Sequence, residues 1–172
     1  FRRTGEPPAE RFEVLFVGAG TLQKGVPWLL QAFARVKHPH KRLRMVGAMR
    51  PEFLQLLPRL PSENVEFLGP VPQIQLPDIM SSSHVMVLPS VQDGFGMVMA
   101  QAMACGCPVI GTCNTGAPDL VTEMENGFVV PIRSPEVIAE KLQLLADDPA
   151  LQQRMSEGTL RRVRQIGGWK EY

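Results

Sequence analysis

The sequence contains little cysteine, and its arrangement favours neither a disulfide framework nor a zinc site. Cys105, Cys107 and Cys113 are an odd number, form no C-x-x-C pair and have no histidine at ligand spacing. A reducing, cytoplasmic location is therefore the expectation.

The sequence also lacks long apolar runs and a net charge. Glycine, proline or charged residues interrupt every apolar stretch well short of about 18 residues, so no membrane span is predicted. No amino-terminal segment has the features of a signal peptide. The 18 Lys and Arg residues balance 17 Asp and Glu residues, giving a net charge of +1. Charge therefore gives no reason to expect nucleic acid as a partner.

Short apolar runs alternate with amphipathic segments along the chain. The pattern predicts six strands, at 12–19, 43–48, 65–68, 85–88, 109–111 and 128–130. It predicts helices at 26–36, 51–60, 76–83, 95–105 and 117–123, and two more that begin with proline after the capping residues Ser134 and Asp148. This alternation indicates an α/β fold: a doubly wound, Rossmann-like parallel sheet of about six strands with helices on both faces.

The domain organisation follows from composition. Residues 1–10 resemble a linker, and residues 11–168 form the domain. Because the chain opens at Phe1 without an initiator methionine, we expect it to be part of a larger protein. In sheets of this kind, ligands bind beyond the carboxyl ends of the strands, near the point where strand order reverses.

The loop after the first predicted strand, GAGTLQKG at residues 18–25, is rich in glycine and ends near Lys24. A dinucleotide fingerprint would need its third glycine two positions before Gly25, and a phosphate-binding Walker loop would need Gly before Lys and Ser or Thr after it. Both motifs fail on spacing. The loop is either a tight turn with a solvated lysine or a phosphate-binding loop in which Lys24 meets the anion.

The loop after the fourth predicted strand has the sequence LPSVQDGFGMV. Gly94 and Gly96 flank Phe95 directly before a helix, whose first N–H groups carry partial positive charge and form an anion site. Asp93 would repel a phosphate, so its partner is either a hydroxyl, such as that of a sugar, or the helix itself, through capping.

Gln101 is the only side chain with a hydrogen-bonding amide or charge between Asp93 and Thr112. In a buried helix, an unpaired amide would cost about 2–7 kcal/mol. We therefore expect Gln101 either to line a ligand pocket, where it suits ribose hydroxyls, or to bond neighbouring backbone.

Four segments together resemble the nucleotide-sugar-binding, carboxyl-terminal domain of the family 4, GT-B-fold glycosyltransferases (glycosyl transferase group 1). They occur in the family's order and span most of residues 13–131: VGAGTLQKGVPWLLQAF, VEFLGPV, PSVQDGFGMVMAQAMACGCPVI and TGAPDLVTEMENGFVVP.

The resemblance implies a donor site and assigns its residues. Asp93 would contact the transferred sugar, Gln101 the ribose, and Lys24 the charge of the leaving nucleotide; Lys24 and Asp93 would be catalytic. The remaining donor-binding residues are those of the glycine loops and the base-side loop: Gly18, Gly20, Gly69, Val71, Gly94, Phe95, Gly96 and Met97. Both family glutamates are replaced, by Asp93 and Gln101, and His84 stands where an aspartate is usual.

The implied activity is transfer of a sugar from a UDP-, GDP- or ADP-linked donor with retention of configuration. No Asp-x-Asp pair occurs, so neither a metal nor a cofactor is expected. The acceptor domain would lie on an amino-terminal half absent from this chain, so the chain alone is expected to bind donor weakly and transfer nothing. Residues 169–172 resemble the start of a helix that crosses to that half, with Trp169 a contact for it. Whether the whole protein associates with a membrane stays open.

Two other classes of protein remain possible from the sequence. One is a nucleotide-binding oxidoreductase domain, which the glycine spacing disfavours. The other is a non-catalytic binding or scaffolding module, which the altered Asp93 and Gln101 favour.

Overall fold

The computed structural model describes residues 1–166, so the predictions for Trp169 and for residues 169–172 lie outside it. Six strands form one parallel sheet. The strands are β1 Phe12–Val17, β2 Lys41–Val46, β3 Val65–Gly69, β4 Val85–Leu88, β5 Val109–Thr112 and β6 Gly127–Val130. The helices are α1 Val26–Arg35, α2 Pro51–Leu56, α3 Leu76–Ser81, α4 Met97–Ala104, α5 Ala117–Leu120, α6 Pro135–Asp147 and α7 Pro149–Gln165. The predicted α/β class and doubly wound architecture are confirmed.

The strand order is β3-β2-β1-β4-β5-β6, so the order reverses between β1 and β4. The loops that follow these two strands therefore meet at the carboxyl edge, where open α/β sheets bind their ligands.

Two apolar clusters cover the two faces of the sheet, because successive side chains of a strand point to opposite sides. Val14 and Phe16 pack in the cluster that includes α1, α2 and α6, whereas Leu15 packs in the cluster that includes α3, α4 and α5. Strands covered on both faces need largely apolar sequence, which explains the apolar runs of β4 and of β1 after Glu13.

The sheet edge at β3 departs from this pattern. Phe67 and Leu68 are exposed, because β3 is the last strand on that side and, in the described part of the chain, pairs only with β2. β2 begins two residues earlier than predicted, since the polar Lys41 and Arg42 continue the ladder with β1. Their charges are accommodated locally: the Lys41 ammonium, for example, donates to the carbonyls of Phe33 and Val36 at the end of α1.

The helix starts test the predicted caps. The Asp148 carboxylate accepts a hydrogen bond from the Leu151 N–H at 2.9 Å, as a capping residue does. Ser134 occupies the N-cap position of α6 as predicted, but its hydroxyl donates to the Pro131 carbonyl instead of accepting from the helix. Both helices still begin with proline at the first position.

No helix within residues 1–166 combines the length and the apolar character that crossing a membrane would require. Residues 1–8 contain no helix or strand, but they contact the domain: the Thr4 N–H donates to the hydroxyl of the buried Ser81.

Candidate functional site

The structure brings Lys24 and Asp93 together at the carboxyl edge, although 69 residues separate them in sequence. The Lys24 ammonium donates to Asp93 Oδ2 at 2.5 Å. The lysine lies in the loop after β1 and the aspartate in the loop after β4, so the reversal of strand order places them side by side. Their side chains are 29% and 17% exposed, respectively, so the pair is reachable from solvent.

Local backbone geometry fixes the loop after β1. Gly25 has φ 74°, in the left-handed region that favours glycine, and a Cβ there would lie 1.9 Å from the Pro89 carbonyl oxygen. Lys24 is thus held against the end of β4. The Val91 N–H donates to the Gln23 carbonyl at 2.8 Å and ties the two loops together.

The loop after β4 leads into α4 through a second left-handed glycine, Gly96, at φ 69°. This conformation ends the loop, so α4 begins at Met97, two residues later than predicted. The N–H groups of Phe95, Gly96 and Met97 donate to no acceptor among residues 1–166. Unpaired amides at a helix start carry partial positive charge and are available to an anion.

Asp93 does not cap α4, which excludes one of the two alternatives for it. The helix has its N-cap at Gly96, three residues further along, and no side chain of residues 1–166 caps it. The Asp93 carboxylate instead accepts from Lys24, from the Ser90 hydroxyl at 3.2 Å and from the Gly94 N–H at 2.9 Å.

Gln101 lies on α4, one turn beyond Met97, and the prediction that it is buried is wrong. It is half-buried, whereas its neighbours Ala100, Ala102 and Met103 are buried. An apolar sequence around a position does not fix which face of a helix that position occupies. Water can reach this amide, so its polarity does not by itself require a protein or ligand partner.

The remaining predicted residues line the same edge at increasing distance from Asp93. Gly18 and Gly20 lie against the loop after β2: a Cβ on Gly47 would lie 1.9 Å from the Gly18 carbonyl oxygen. The Gly47 N–H in turn donates to the Gly69 carbonyl at 2.9 Å, at the start of the loop that contains Val71. Since neighbouring strands are about 4.8 Å apart, the loop after β3 lies about 14 Å along the edge from β4.

Sequence reasoning assigned no role to Ser90 or to Asn114 in the loop after β5. The hydroxyl of the fully buried Ser90 donates to the Asp93 carboxylate. The backbone carbonyl of Ser90 accepts from the Thr112 hydroxyl at 2.6 Å. The Asn114 carbonyl accepts from the Asp93 N–H at 3.1 Å. Polar residues directly after apolar strands β4 and β5 were the signal that could have identified them.

His84 lies at the opposite, amino edge of the sheet and so outside the candidate site. Its Nδ1 accepts from the Glu13 N–H at 2.9 Å, and burial lowers its pKa to about 4. Within residues 1–166, no three His, Cys, Asp or Glu side chains are grouped to hold a metal ion.

The chain belongs to the family of glycosyl transferases group 1, whose model matches residues 1–162. A curated relative, D-inositol 3-phosphate glycosyltransferase from Streptomyces avermitilis, is 34% identical over 176 aligned residues. The alignment covers 94% of this chain and 38% of that protein. The chain thus spans well under half the length of this relative.

Solved structures show the same fold. The carboxyl-terminal domain of a glycosyl transferase group 1 family protein from Francisella tularensis matches with a TM-score of 0.85 at 22% identity, covering 96% of both chains. The Anabaena protein HepE, solved in complex with UDP-glucose, matches with a TM-score of 0.82 at 25% identity. This match covers 93% of our chain and 46% of HepE. The α/β fold is therefore that of a carboxyl-terminal domain in this family.

Proposed function

We propose that this chain is the donor-binding part of an enzyme that transfers a sugar from a nucleotide-sugar to an acceptor. The observation that carries the proposal is the meeting of Lys24 and Asp93 beside the unpaired amides of Phe95, Gly96 and Met97. A cation and helix-start amides suit a diphosphate, and a carboxylate suits a sugar hydroxyl, so one edge offers both chemistries that a nucleotide-sugar needs.

The proposed pose runs along the edge of the sheet. The diphosphate lies on the amides before α4 with Lys24 beside it, and the sugar reaches Asp93. Gln101 lies one turn further along α4 and is half-buried, so its amide is accessible to a ribose hydroxyl. The base lies toward Gly69 and Val71, about 14 Å from β4, which matches the extended form of a nucleotide.

The chemistry proposed for the whole enzyme is retaining transfer without a metal. Lys24 and the α4 amides would stabilise the negative charge that develops on the departing diphosphate, as preorganised donors do. The acceptor would be held by an amino-terminal domain, so we propose that this chain alone binds donor and transfers nothing. The three free cysteines support a reducing compartment, the cytoplasm.

A panel of ligands tests the proposal. The melting temperature of this chain would be measured with UDP-, GDP- and ADP-sugars and with NAD; at 100 times Kd, a ligand stabilises the fold by about 2.7 kcal/mol. We expect one nucleotide-sugar to raise the melting temperature. Stabilisation by NAD alone would assign the site to an oxidoreductase instead.

One observation favours a second candidate, a non-catalytic module. The amide of Gln101 replaces an acid and brings no charge to bind ribose, and a charge-assisted hydrogen bond contributes about 1.5–3 kcal/mol. If none of the ligands in the panel stabilises the chain, this second candidate replaces the first. Gln101→Glu separates them further, because only a donor site would bind a nucleotide-sugar more tightly after the acid is restored.

A further inference from the structure

The hydrogen bonds of Asp93 account for both of its carboxylate oxygens. Oδ2 accepts from the Lys24 ammonium and the Ser90 hydroxyl, and Oδ1 accepts from the Gly94 N–H. At 17% exposure the carboxylate is reachable from solvent but less well hydrated than a free one, so water compensates only in part for a donor that leaves. Lys24 is the only charged donor of the three.

A bound diphosphate would compete with Asp93 for the Lys24 ammonium. Asp93 comes two residues before Phe95, the first of the unpaired amides that lead into α4, so an anion on these amides would lie near the carboxylate. Paired with Asp93, Lys24 adds no net charge to this edge, and the carboxylate repels a diphosphate. When Lys24 turns toward a diphosphate, Asp93 loses its charged donor.

We propose that the Lys24 ammonium leaves the Asp93 carboxylate and pairs with the diphosphate when a ligand binds. This exchange of counter-ions makes the site bind an intact nucleotide-sugar more tightly than the free nucleoside diphosphate. This inference rests on the proposed function. A hydroxyl of the bound sugar replaces the hydrogen bond that Lys24 gave to Asp93, whereas a free nucleoside diphosphate leaves the carboxylate without a replacement. Asp93 is thus a selectivity residue, and its negative charge weakens the binding of the product that must leave.

The variant that tests the exchange is Asp93→Asn. Its carboxamide has nearly the shape of the carboxylate and still accepts a hydrogen bond from Gly94 or Ser90, but it neither repels a diphosphate nor holds Lys24 by charge. The dissociation constants of UDP and UDP-glucose would be measured by calorimetry on the 172-residue chain, together with the matched guanosine and adenosine pairs.

We expect the original chain to bind one nucleotide-sugar at least about tenfold more tightly than its nucleoside diphosphate, a preference of the size that one charge-assisted hydrogen bond provides. In Asp93→Asn we expect the nucleoside diphosphate to bind about tenfold more tightly, since a close repulsive charge is gone, so that the preference nearly disappears. Glu157→Gln is the matched control: it removes one exposed carboxylate from α7 and should leave the preference unchanged.

A second variant should change the preference for the nucleotide-sugar in the opposite direction, and it tests the proposal even if Asp93→Asn does not fold. Ser90→Ala removes another donor from Asp93, so the carboxylate needs the sugar hydroxyl more, and the preference should widen about threefold. Ser90 is fully buried and similar in size to alanine, so the fold should tolerate the change.

The outcomes separate the two proposals. If Asp93→Asn weakens both ligands equally, Asp93 only positions Lys24, and the exchange is wrong although nucleotide binding stands. An unchanged preference in both variants overturns the exchange in the same way. If the original chain binds no nucleotide-sugar and no nucleoside diphosphate, the proposed function fails and the exchange fails with it.

Discussion

Two ionic clusters lie at opposite ends of β1, and they differ in burial and in the number of partners. At the amino edge, the Glu13 carboxylate is 1% exposed and accepts from Arg42 Nε at 3.1 and 3.0 Å, with Arg44 Nε 3.5 Å away. At the carboxyl edge, one lysine meets one aspartate, and both are reachable from solvent.

The difference teaches which charged residues hold the fold and which are available for function. Glu13 and Arg42 are register partners on β1 and β2, so the sheet itself positions them. Arg44 also donates to Ser82, to Ser83 and to the Ile79 carbonyl, which binds the cluster to the end of α3. Most groups there bond to other protein groups, although the buried Arg44 Nε makes no hydrogen bond among residues 1–166 and only lies near the Glu13 carboxylate. The Lys24 pair instead lies beside backbone amides that have no partner among residues 1–166.

The largest expected effect is the loss of unfolding free energy when the amino-edge cluster is broken. Glu13→Gln removes the charge that Arg44 and Arg42 face, and breaking a buried pair from one side typically costs about 3–5 kcal/mol. Urea unfolding followed by circular dichroism would measure it. A loss below about 1 kcal/mol would show that the cluster is not a structural element of the kind inferred from its burial.

The second prediction concerns a variant that removes the lysine of the carboxyl-edge pair. Lys24→Ala should abolish the rise in melting temperature caused by a nucleotide-sugar and lower turnover of the whole enzyme at least about 100-fold, as loss of one preorganised donor does. The free energy of unfolding should change by less than about 1 kcal/mol, because the pair is partly exposed. Lys37→Ala, at an exposed lysine, is the control. Equal ligand responses in the two variants would remove Lys24 from the site.

A third prediction sharpens the comparison through pH. Burial lowers the pKa of His84 to about 4, whereas the unfolded chain has an ordinary histidine pKa near 6.5, so the unfolded state binds the extra proton first. The stability that His84 contributes is therefore full above about pH 6.5, falls as the pH drops toward 4, and is lost below it, at most about 3 kcal/mol in all.

His84→Asn is the matched variant for this measurement, because the amide oxygen still accepts from the Glu13 N–H but does not titrate. The difference in unfolding free energy between the two chains should change with pH only below about 6.5. A difference that stays constant from pH 7 to 4 would contradict the assignment.

The smallest expected effect lies within the amino-edge cluster. Glu66 is 45% exposed and pairs with Arg42 at 3.1 Å, so Glu66→Gln should cost less than about 1 kcal/mol. Compared with Glu13→Gln, it changes the same residue type beside the same arginine, but at an exposed site and with one arginine partner instead of three. Equal losses from the two variants would show that neither burial nor the number of partners explains the contrast.

The secondary structure was largely predictable because the apolar runs of β1 and β4 and the prolines of α6 and α7 act locally. Two of the errors lie at the starts of helices. Gly96 adopts a left-handed conformation and delays α4, and Ser134 turns back to Pro131. The glycines before α4 were predictable as a loop, but their conformation depends on the strand and helix that they join.

The sequence by itself determined the class of fold, the glycine loops at the carboxyl ends of β1 and β4, and the residue types available there. Only the tertiary structure decided that Lys24 pairs with Asp93, that Ser90 and Asn114 complete the surroundings of the aspartate, and that Gln101 is half-buried. The physical reason is that periodicity reports the environment of each segment, whereas contacts between distant loops depend on the order of the strands and on which face each helix turns to the sheet.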